Sequence, residues 1–284
     1  MSCSRLFFAK VCERANVCGR SKVPRSSMHL HSSGSIRIRM FSVDSRSENK
    51  SKINPPINEK AHFRWGKIWE AGIAPGEVFD AGSVSPCLLN EIAHDRIPQG
   101  SALVPGCGRG YDVFALAGPN RSVLGIDLVE QAIHAAKEEA LNHNSDVDKE
   151  IKKNIEFEIK DFFQLNDKYD FIYDYTFLCA LDPCVHNDWA NQMANITKPN
   201  GLLLTLVFPI CDKESGPPFK MSLELLENLL MSGSQKGKWE KLQLELLPSE
   251  LCHPGRDGIG SSMFGETEVK AKSGIGRWRR TSLS

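Results

Sequence analysis

Between residues 63 and 280, short apolar runs of strand length alternate with stretches whose apolar residues recur at helical spacing. A strand over 102–105 leads through a glycine-rich loop into a helix over 111–117. A second strand over 122–126 precedes a helix over 129–142, where Val129, Ala132, Ile133, Ala136 and Ala140 fall near one face. Residues 155–159 alternate as a half-buried strand does, and Phe171-Ile172-Tyr173 reads as a buried strand. A helix over 189–196 meets a stop signal at Lys198-Pro199-Asn200-Gly201. The continuous apolar run 202–208 is that of a strand covered on both faces. A helix over 223–230 and strands over 239–247 and 276–280 complete the series. Upstream, Ser85 starts a helix over 86–94. Trp65 and Trp69, four apart, share one face of a short helix that ends at Ile73-Ala74-Pro75-Gly76. This alternation predicts an α/β fold.

The first fifty residues break the pattern. Up to Val43 the basic residues are Arg5, Lys10, Arg14, Arg20, Lys22, Arg25, Arg37 and Arg39, against the single acid Glu13, in a serine-rich context. Residues 1–50 are expected to be a transit peptide for the mitochondrion or chloroplast, or a disordered leader. A start at Met28 or Met40 would leave the protein in the cytoplasm. Residues 45–60, with Pro55-Pro56, read as a linker, so the folded domain is expected within 51–284. The stretch 254–273, rich in glycine, serine and charge, reads as a long loop.

Composition narrows the classes. The chain has 284 residues, 41% of them hydrophobic, and a net charge of zero, which suits one sizeable domain without a general attraction to nucleic acid or membrane. No apolar run approaches the roughly 20 residues of a membrane span. The nine cysteines form no C-x-x-C pair, so no metal site is expected, and the thiols are expected to be reduced. The protein is expected to act as a monomer on a small acceptor.

The chemistry-bearing residues gather at predicted strand tips. Gly106, Gly108 and Gly110 follow the first strand. A dinucleotide fingerprint needs a glycine where Tyr111 stands, so this loop suits close approach of an amino-acid portion and a ribose instead. Asp127, at the second tip, is placed to accept from ribose hydroxyls or to cap the next helix. Asp161 and Phe162, after the third strand, suit an adenine amino group and ring, or a turn and core packing. Asp174 and Tyr175 end the fourth strand, where Asp174 is expected to meet a cationic or amine group, or to be a solvated loop carboxylate. The order glycines, Asp127, Asp161, Asp174 is the one a pocket for S-adenosyl-L-methionine requires. Nucleic-acid methylation is disfavoured: the fourth strand carries no N-P-P-Y tetrapeptide, and Arg277, Arg279 and Arg280 read as an exposed strand end.

Trp65-x-x-x-Trp69, Phe79-Asp80-Ala81-Gly82 and Leu103-Val104-Pro105-Gly106-Cys107-Gly108 together resemble the thiopurine S-methyltransferase superfamily, and within it the plant, fungal and algal thiol and halide methyltransferases. Residues 171–183, Gly216-Pro217-Pro218-Phe219, His253-Pro254-Gly255-Arg256 and Gly276-Arg277-Trp278 extend the resemblance over roughly 63–280. It implies a class I methyltransferase, with a Rossmann-like, mostly parallel seven-stranded sheet and helices on both faces. It puts the methyl donor S-adenosyl-L-methionine against Trp65, Trp69, Phe79, Gly106, Asp127, Asp161, Phe162 and Tyr175. Phe79 stands where the family often has tryptophan, which keeps an aromatic face but loses the indole donor. Tyr175 and Phe219 are the catalytic candidates, with Phe177 and Phe208 completing an aromatic acceptor pocket. The expected acceptor is a small soft nucleophile: a halide, hydrosulfide, thiocyanate or thiol. Two alternatives remain, methylation of a thiopurine or aromatic thiol, and a catalytically silent binding domain.

Overall fold

Seven strands form a single sheet in the order β3-β2-β1-β4-β5-β7-β6, in a computed structural model that describes residues 57–282 apart from 78, 143–145, 215 and 257–270. The expected leader and most of the expected long loop lie outside the described residues. The first half of the chain supplies α1 (Ile57–Glu70), α2 (Pro86–Ala93), β1 (Gly100–Pro105), α3 (Tyr111–Leu116), β2 (Arg121–Asp127), α4 (Glu130–Asn142) and α5 (Asp146–Lys152). The second half supplies β3 (Ile155–Ile159), β4 (Tyr169–Tyr175), α6 (His186–Ile196), β5 (Thr197–Ile210), α7 (Leu223–Met231), β6 (Trp239–Leu246) and β7 (Lys272–Arg280). Strands β1 to β5 pair in parallel, and β7 runs antiparallel between β5 and β6.

The pleat divides the apolar residues between two faces. Leu103, Ile172, Leu203 and Trp278 pack with Trp189 and Met193 of α6 and Leu226 and Leu230 of α7. Val104, Phe171, Tyr173 and Leu204 pack on the other side with Leu88 of α2 and Val113 and Leu116 of α3. Each such buried side chain contributes about 1.5–3 kcal/mol. Helices on both faces and a largely parallel sheet agree with the expected class.

Strand β1 lies between β2 and β4, so the chain reverses its direction of travel across the sheet there. That reversal opens a crevice beyond the carboxyl ends of the strands, where open α/β sheets bind ligands. Helix α1 closes one side of it, with Trp69 and Ile73 packing on Val129 and Ala132 at the start of α4.

Several expected boundaries move. Helix α1 starts at Ile57, inside the expected linker, and α5 is an additional helix. Lys198-Pro199-Asn200-Gly201 belongs to β5, not to a loop before it. Thr197 pairs with Tyr169, and its hydroxyl donates to Met193 O at 2.7 Å, so helix end and strand start are fused. The pairing then shifts register between Tyr169 and Phe171. The expected exposed arginine end is also corrected. Arg280 is buried and donates to Ala194 O and Lys238 O, and Arg277 pairs with the buried Glu91, because β7 is an interior strand. Arg279 alone of the three is exposed.

Candidate active site

The cavity at the switch point is about 450 Å³ and is walled by the glycine loop, the strand tips and α1. The loop turns sharply. Gly106 has φ of 59°, and a Cβ there would sit 2.7 Å from the Phe177 ring, so backbone and ring meet only because the side chain is missing. Gly110, at φ of 78°, would place a Cβ 2.7 Å from Phe157. It supplies the close helix–strand packing that a dinucleotide loop assigns to the next position.

Asp127 is held by backbone donors on both sides. Its Oδ1 accepts from Val129 N at 3.0 Å, closing the turn before α4 and not capping the helix itself, and its Oδ2 accepts from Gly108 N at 3.2 Å. A carboxylate has about four acceptor positions, so capacity remains toward the cavity it lines. Burial pushes its pKa up to about 6, opposed by the backbone donors.

Trp65, Trp69 and Phe79 form an aromatic group at one end of the cavity. Phe79 meets Trp65 edge-on at 5.3 Å and Trp69 at 5.8 Å. Arg109 of the glycine loop fastens this group. Its Nε lies 2.8 Å from Asp80 Oδ2, it donates to Ile73 O, and it lies 5.6 Å from the centre of the Trp69 ring. Asp80 in turn accepts from Gly82 N at 2.7 Å, which fixes the Phe79-Asp80-Ala81-Gly82 turn. On the far wall Asp161 accepts from Phe163 N at 2.9 Å, and Phe162 lies edge-on to Phe163 and Phe177 at 5.2 and 5.0 Å.

The fourth wall is built around a buried cation. Arg256 is 2% exposed, donates to the Tyr175 hydroxyl and to Phe79 O, and lies over the Tyr175 and Phe208 rings at 5.2 and 4.8 Å. Ser273 donates to Arg256 O at 2.7 Å, tying this wall to β7. His253 stacks on Tyr175 at 5.6 Å, and burial beside Arg256 pushes its pKa down to about 3, so it is neutral. Asp112, in the first turn of α3, lines the cavity and accepts from Ser85 N at 2.9 Å. Burial lifts its pKa to about 7, with Ser85 N and Arg256 opposing.

The cavity therefore gathers Trp65, Trp69, Phe79, Gly106, Asp127, Asp161, Phe162, Tyr175, Phe177 and Phe219. It does not include Asp174 or Phe208. Asp174 is 1% exposed and accepts from Trp189 Nε1 at 2.9 Å and Leu178 N at 3.2 Å, so it anchors α6 to β4 and does not line the cavity. Phe208 lies behind the guanidinium of Arg256. Arg109, Asp112, His253 and Arg256 were not singled out individually from the sequence. The signals for them were the place of Arg109 and Asp112 in and just after the glycine loop, and the His253-Pro254-Gly255-Arg256 segment.

A thiopurine S-methyltransferase family model matches residues 60–251. The chain belongs to the thiopurine S-methyltransferase family. Membership makes it an S-adenosyl-L-methionine-dependent methyltransferase. Probable thiol methyltransferase 2 of Arabidopsis thaliana is 33% identical over 80% of the chain and 88% of its own length. Thiocyanate methyltransferase 1 of Brassica oleracea is 38% identical over 65% of the chain and 77% of its own length. Thiopurine S-methyltransferase of Legionella pneumophila is 31% identical over 65% and 86%. The family's fold recurs in solved structures. An N1-methyltransferase from Burkholderia thailandensis superposes with a TM-score of 0.55 at 16% identity, over 84% of the chain and 94% of its own. A methyltransferase from Methanosarcina mazei gives 0.51 at 18% identity, over 68% and 98%.

Proposed function

We propose that the protein transfers a methyl group from S-adenosyl-L-methionine to a small, soft sulfur or anionic acceptor, with thiols and thiocyanate first and hydrosulfide and halide in the same class. The observation that carries this reading is the buried guanidinium of Arg256 behind Tyr175 in an otherwise aromatic wall. Arg256 occupies a lone pair of the Tyr175 hydroxyl, so the phenolic proton is left to point elsewhere. A hydroxyl donor backed by a positive charge, beside Phe177 and Phe219, suits a polarizable anion. The relatives named for thiol and thiocyanate methylation support the same class.

The chain fits the donor. Asp127 offers its remaining acceptor capacity to ribose hydroxyls, Asp161 and Phe162 suit an adenine, and Gly106 lets backbone come close. Trp65, Trp69 and Phe79 present aromatic faces, each worth about 0.5–2 kcal/mol to a cation. When bound, the donor supplies a methyl group on a positively charged sulfur. Tyr175, Phe177 and Phe219 then orient the acceptor and exclude water, and holding the two reactants in line can supply about 7–11 kcal/mol.

The test incubates the full chain with S-adenosyl-L-methionine and, separately, thiocyanate, hydrosulfide, iodide and an alkyl thiol, and assays the headspace for methylated product. Product from at least one acceptor is expected. Silence with all four, in a protein that binds S-adenosylhomocysteine, refutes the reading. Tyr175→Phe should lower kcat/KM for thiocyanate about 10-fold or more, the worth of one hydrogen bond to a charged group. The basic, acid-poor stretch before Val43 supports delivery to an organelle. Loss of organellar fluorescence from a reporter fusion on deleting residues 1–50 would bear this out, and an unchanged distribution would reject it.

A further inference from the structure

The side-chain alternation of β4 breaks just past its end. Phe171 and Tyr173 pack on the face of the sheet covered by α2 and α3, while Ile172 packs on the face covered by α6 and α7, where Asp174 meets Trp189. Tyr175 keeps to the alternation and packs on the face of Tyr173. A strand that ran on would send Phe177 to that same face, two residues further. Phe177 packs instead with the opposite cluster, edge-on to Phe162 at 5.0 Å and against Gly106. Both rings line the cavity, so they reach it from opposite faces of the sheet. The switch of face occurs at Thr176, directly after the strand.

Thr176 has φ of 64°. Two other described residues that are not glycine have a positive φ, Asp95 and Asn200, and their short polar side chains tolerate the left-handed region. A β-branched residue in that region is an outlier. Such strain persists only where the surroundings hold it, and it clusters at active sites. Here the holding contacts are local. Thr176 Oγ1 donates to Tyr175 O at 2.6 Å, and the Cys179 thiol donates to Thr176 O at 3.4 Å. Ala180 N donates to Phe177 O at 3.0 Å, and Phe219 N donates to Cys179 O at 2.7 Å, which ties the turn to a third aromatic residue of the cavity.

We propose that Thr176 is a positioning residue for methyl transfer: its left-handed turn, locked by its own hydroxyl, carries Phe177 to the face opposite Tyr175, so that the two rings wall the reaction zone from two sides. The proposal rests on the functional reading given above, in which Tyr175 and Phe177 orient the acceptor. Thr176 acts through these two neighbours. Glycine would make the same turn without strain but leave it free to hinge, because a glycine backbone has many other conformations open to it. Threonine has few, and its hydroxyl fixes the orientation of the peptide between residues 175 and 176. The strain thus accompanies a wall that stays in one place, with the Phe177 ring held where Gly106 leaves room for it.

The test measures thermal unfolding, S-adenosylhomocysteine affinity by calorimetry and turnover of thiocyanate. It compares wild type with Thr176→Gly, Thr176→Ser, Phe177→Leu and the double variant Thr176→Gly/Phe177→Leu. Thr176→Gly exchanges the strain for a freer unfolded chain and a lost hydroxyl bond, so its midpoint should stay within about 4 °C of wild type. Its affinity for S-adenosylhomocysteine and its kcat should each fall about tenfold, as they would if the native arrangement dropped to about a tenth of molecules. Thr176→Ser keeps the hydroxyl and should hold both quantities within about twofold of wild type. Because Thr176 acts on the donor end through Phe177, Thr176→Gly should weaken S-adenosylhomocysteine binding no further in the Phe177→Leu background. Losses that multiply in the double variant, an unaltered affinity and rate in Thr176→Gly, or a serine variant as impaired as the glycine one each overturn the proposal. A glycine variant that fails to fold also overturns it, since glycine enters the left-handed turn freely. A wild-type protein that methylates no acceptor refutes the functional reading, and the binding comparison then still decides whether Thr176 positions Phe177.

Discussion

Replacing Arg109 with alanine should loosen the aromatic cover of the cavity. Arg109 joins the glycine loop to Asp80, to the backbone of Ile73 and to the face of Trp69. The side chains of the ion pair are 15% and 3% exposed. Removing one partner of a buried pair costs about 3–5 kcal/mol, because the charge left behind stays desolvated. Asp80 would keep a backbone donor from Gly82 at 2.7 Å and a longer one from Gly76 at 3.3 Å. Those donors hold the loss near the lower end, about 3 kcal/mol. Asp80→Asn removes the charge but keeps an acceptor for the same donors. The double variant Arg109→Ala/Asp80→Asn should therefore be more stable than Arg109→Ala alone, by about 1–2 kcal/mol. Urea unfolding of the four proteins measures this. Calorimetry with S-adenosylhomocysteine reads the functional consequence, expected as roughly tenfold weaker binding for Arg109→Ala if the covering conformation falls to about a tenth of molecules. A double variant that loses the sum of the two single losses shows that the side chains are not coupled and refutes the reasoning.

Three further outcomes follow from other contacts. Burial raises the pKa of Asp127 to about 6, so the free protein must give up a proton there to accept from a ribose; affinity for S-adenosylhomocysteine should be level above pH 7 and fall about tenfold by pH 5, and level affinity throughout would remove Asp127 from that role. By the same sign, the folded state binds this proton more tightly than the unfolded chain, and the contribution of Asp127 to stability declines as pH rises from about 4 through 6. Asp174→Ala strands the Trp189 indole N–H and the Leu178 N–H at about 1–3 kcal/mol each; chemical unfolding should show the loss while S-adenosylhomocysteine affinity holds, and the opposite pattern would return Asp174 to the site. Gly106→Ala must adopt a left-handed backbone, costing about 1–2 kcal/mol, and must also displace the Phe177 ring; a variant that melts and binds S-adenosylhomocysteine like the wild type would disprove the close approach.

Much of the fold is legible because a strand covered on both faces has to be apolar throughout, as 202–208 is, and a helix against a sheet repeats its apolar residues at three and four. What escapes is set by partners distant in sequence. Thr197 becomes strand because Tyr169 is beside it, which no local signal reveals, and the lysine, proline, asparagine and glycine that follow mimic a helix stop. The site divides in the same way. Gly106, Asp127 and Asp161 are legible from their places just after apolar runs. Asp174 and Tyr175 are adjacent, and the pleat sends adjacent side chains to opposite faces, so one of them had to leave the pocket. The tyrosine faces the cavity and the aspartate faces Trp189. Arg256 stands 81 residues from Tyr175, with β5 and β6 between them along the chain, so no local signal joins the two.

That assembly has an order built into it. Strand β7 comes after β6 along the chain but lies inside it in the sheet, so β6 has no neighbour until β7 arrives. A ribosome makes the outer strand first and the strand that joins it to the sheet afterwards. Until then β5 presents an open edge, and Leu242 and Leu246 of β6, exposed even in the finished fold, belong to a ribbon with nothing to pair with. The wall carrying Arg256 is fastened by Ser273 at the start of the same late strand. The acceptor end of the pocket is thus among the last parts to form, and a nascent chain halted before β7 would expose two unpaired strand edges to its neighbours.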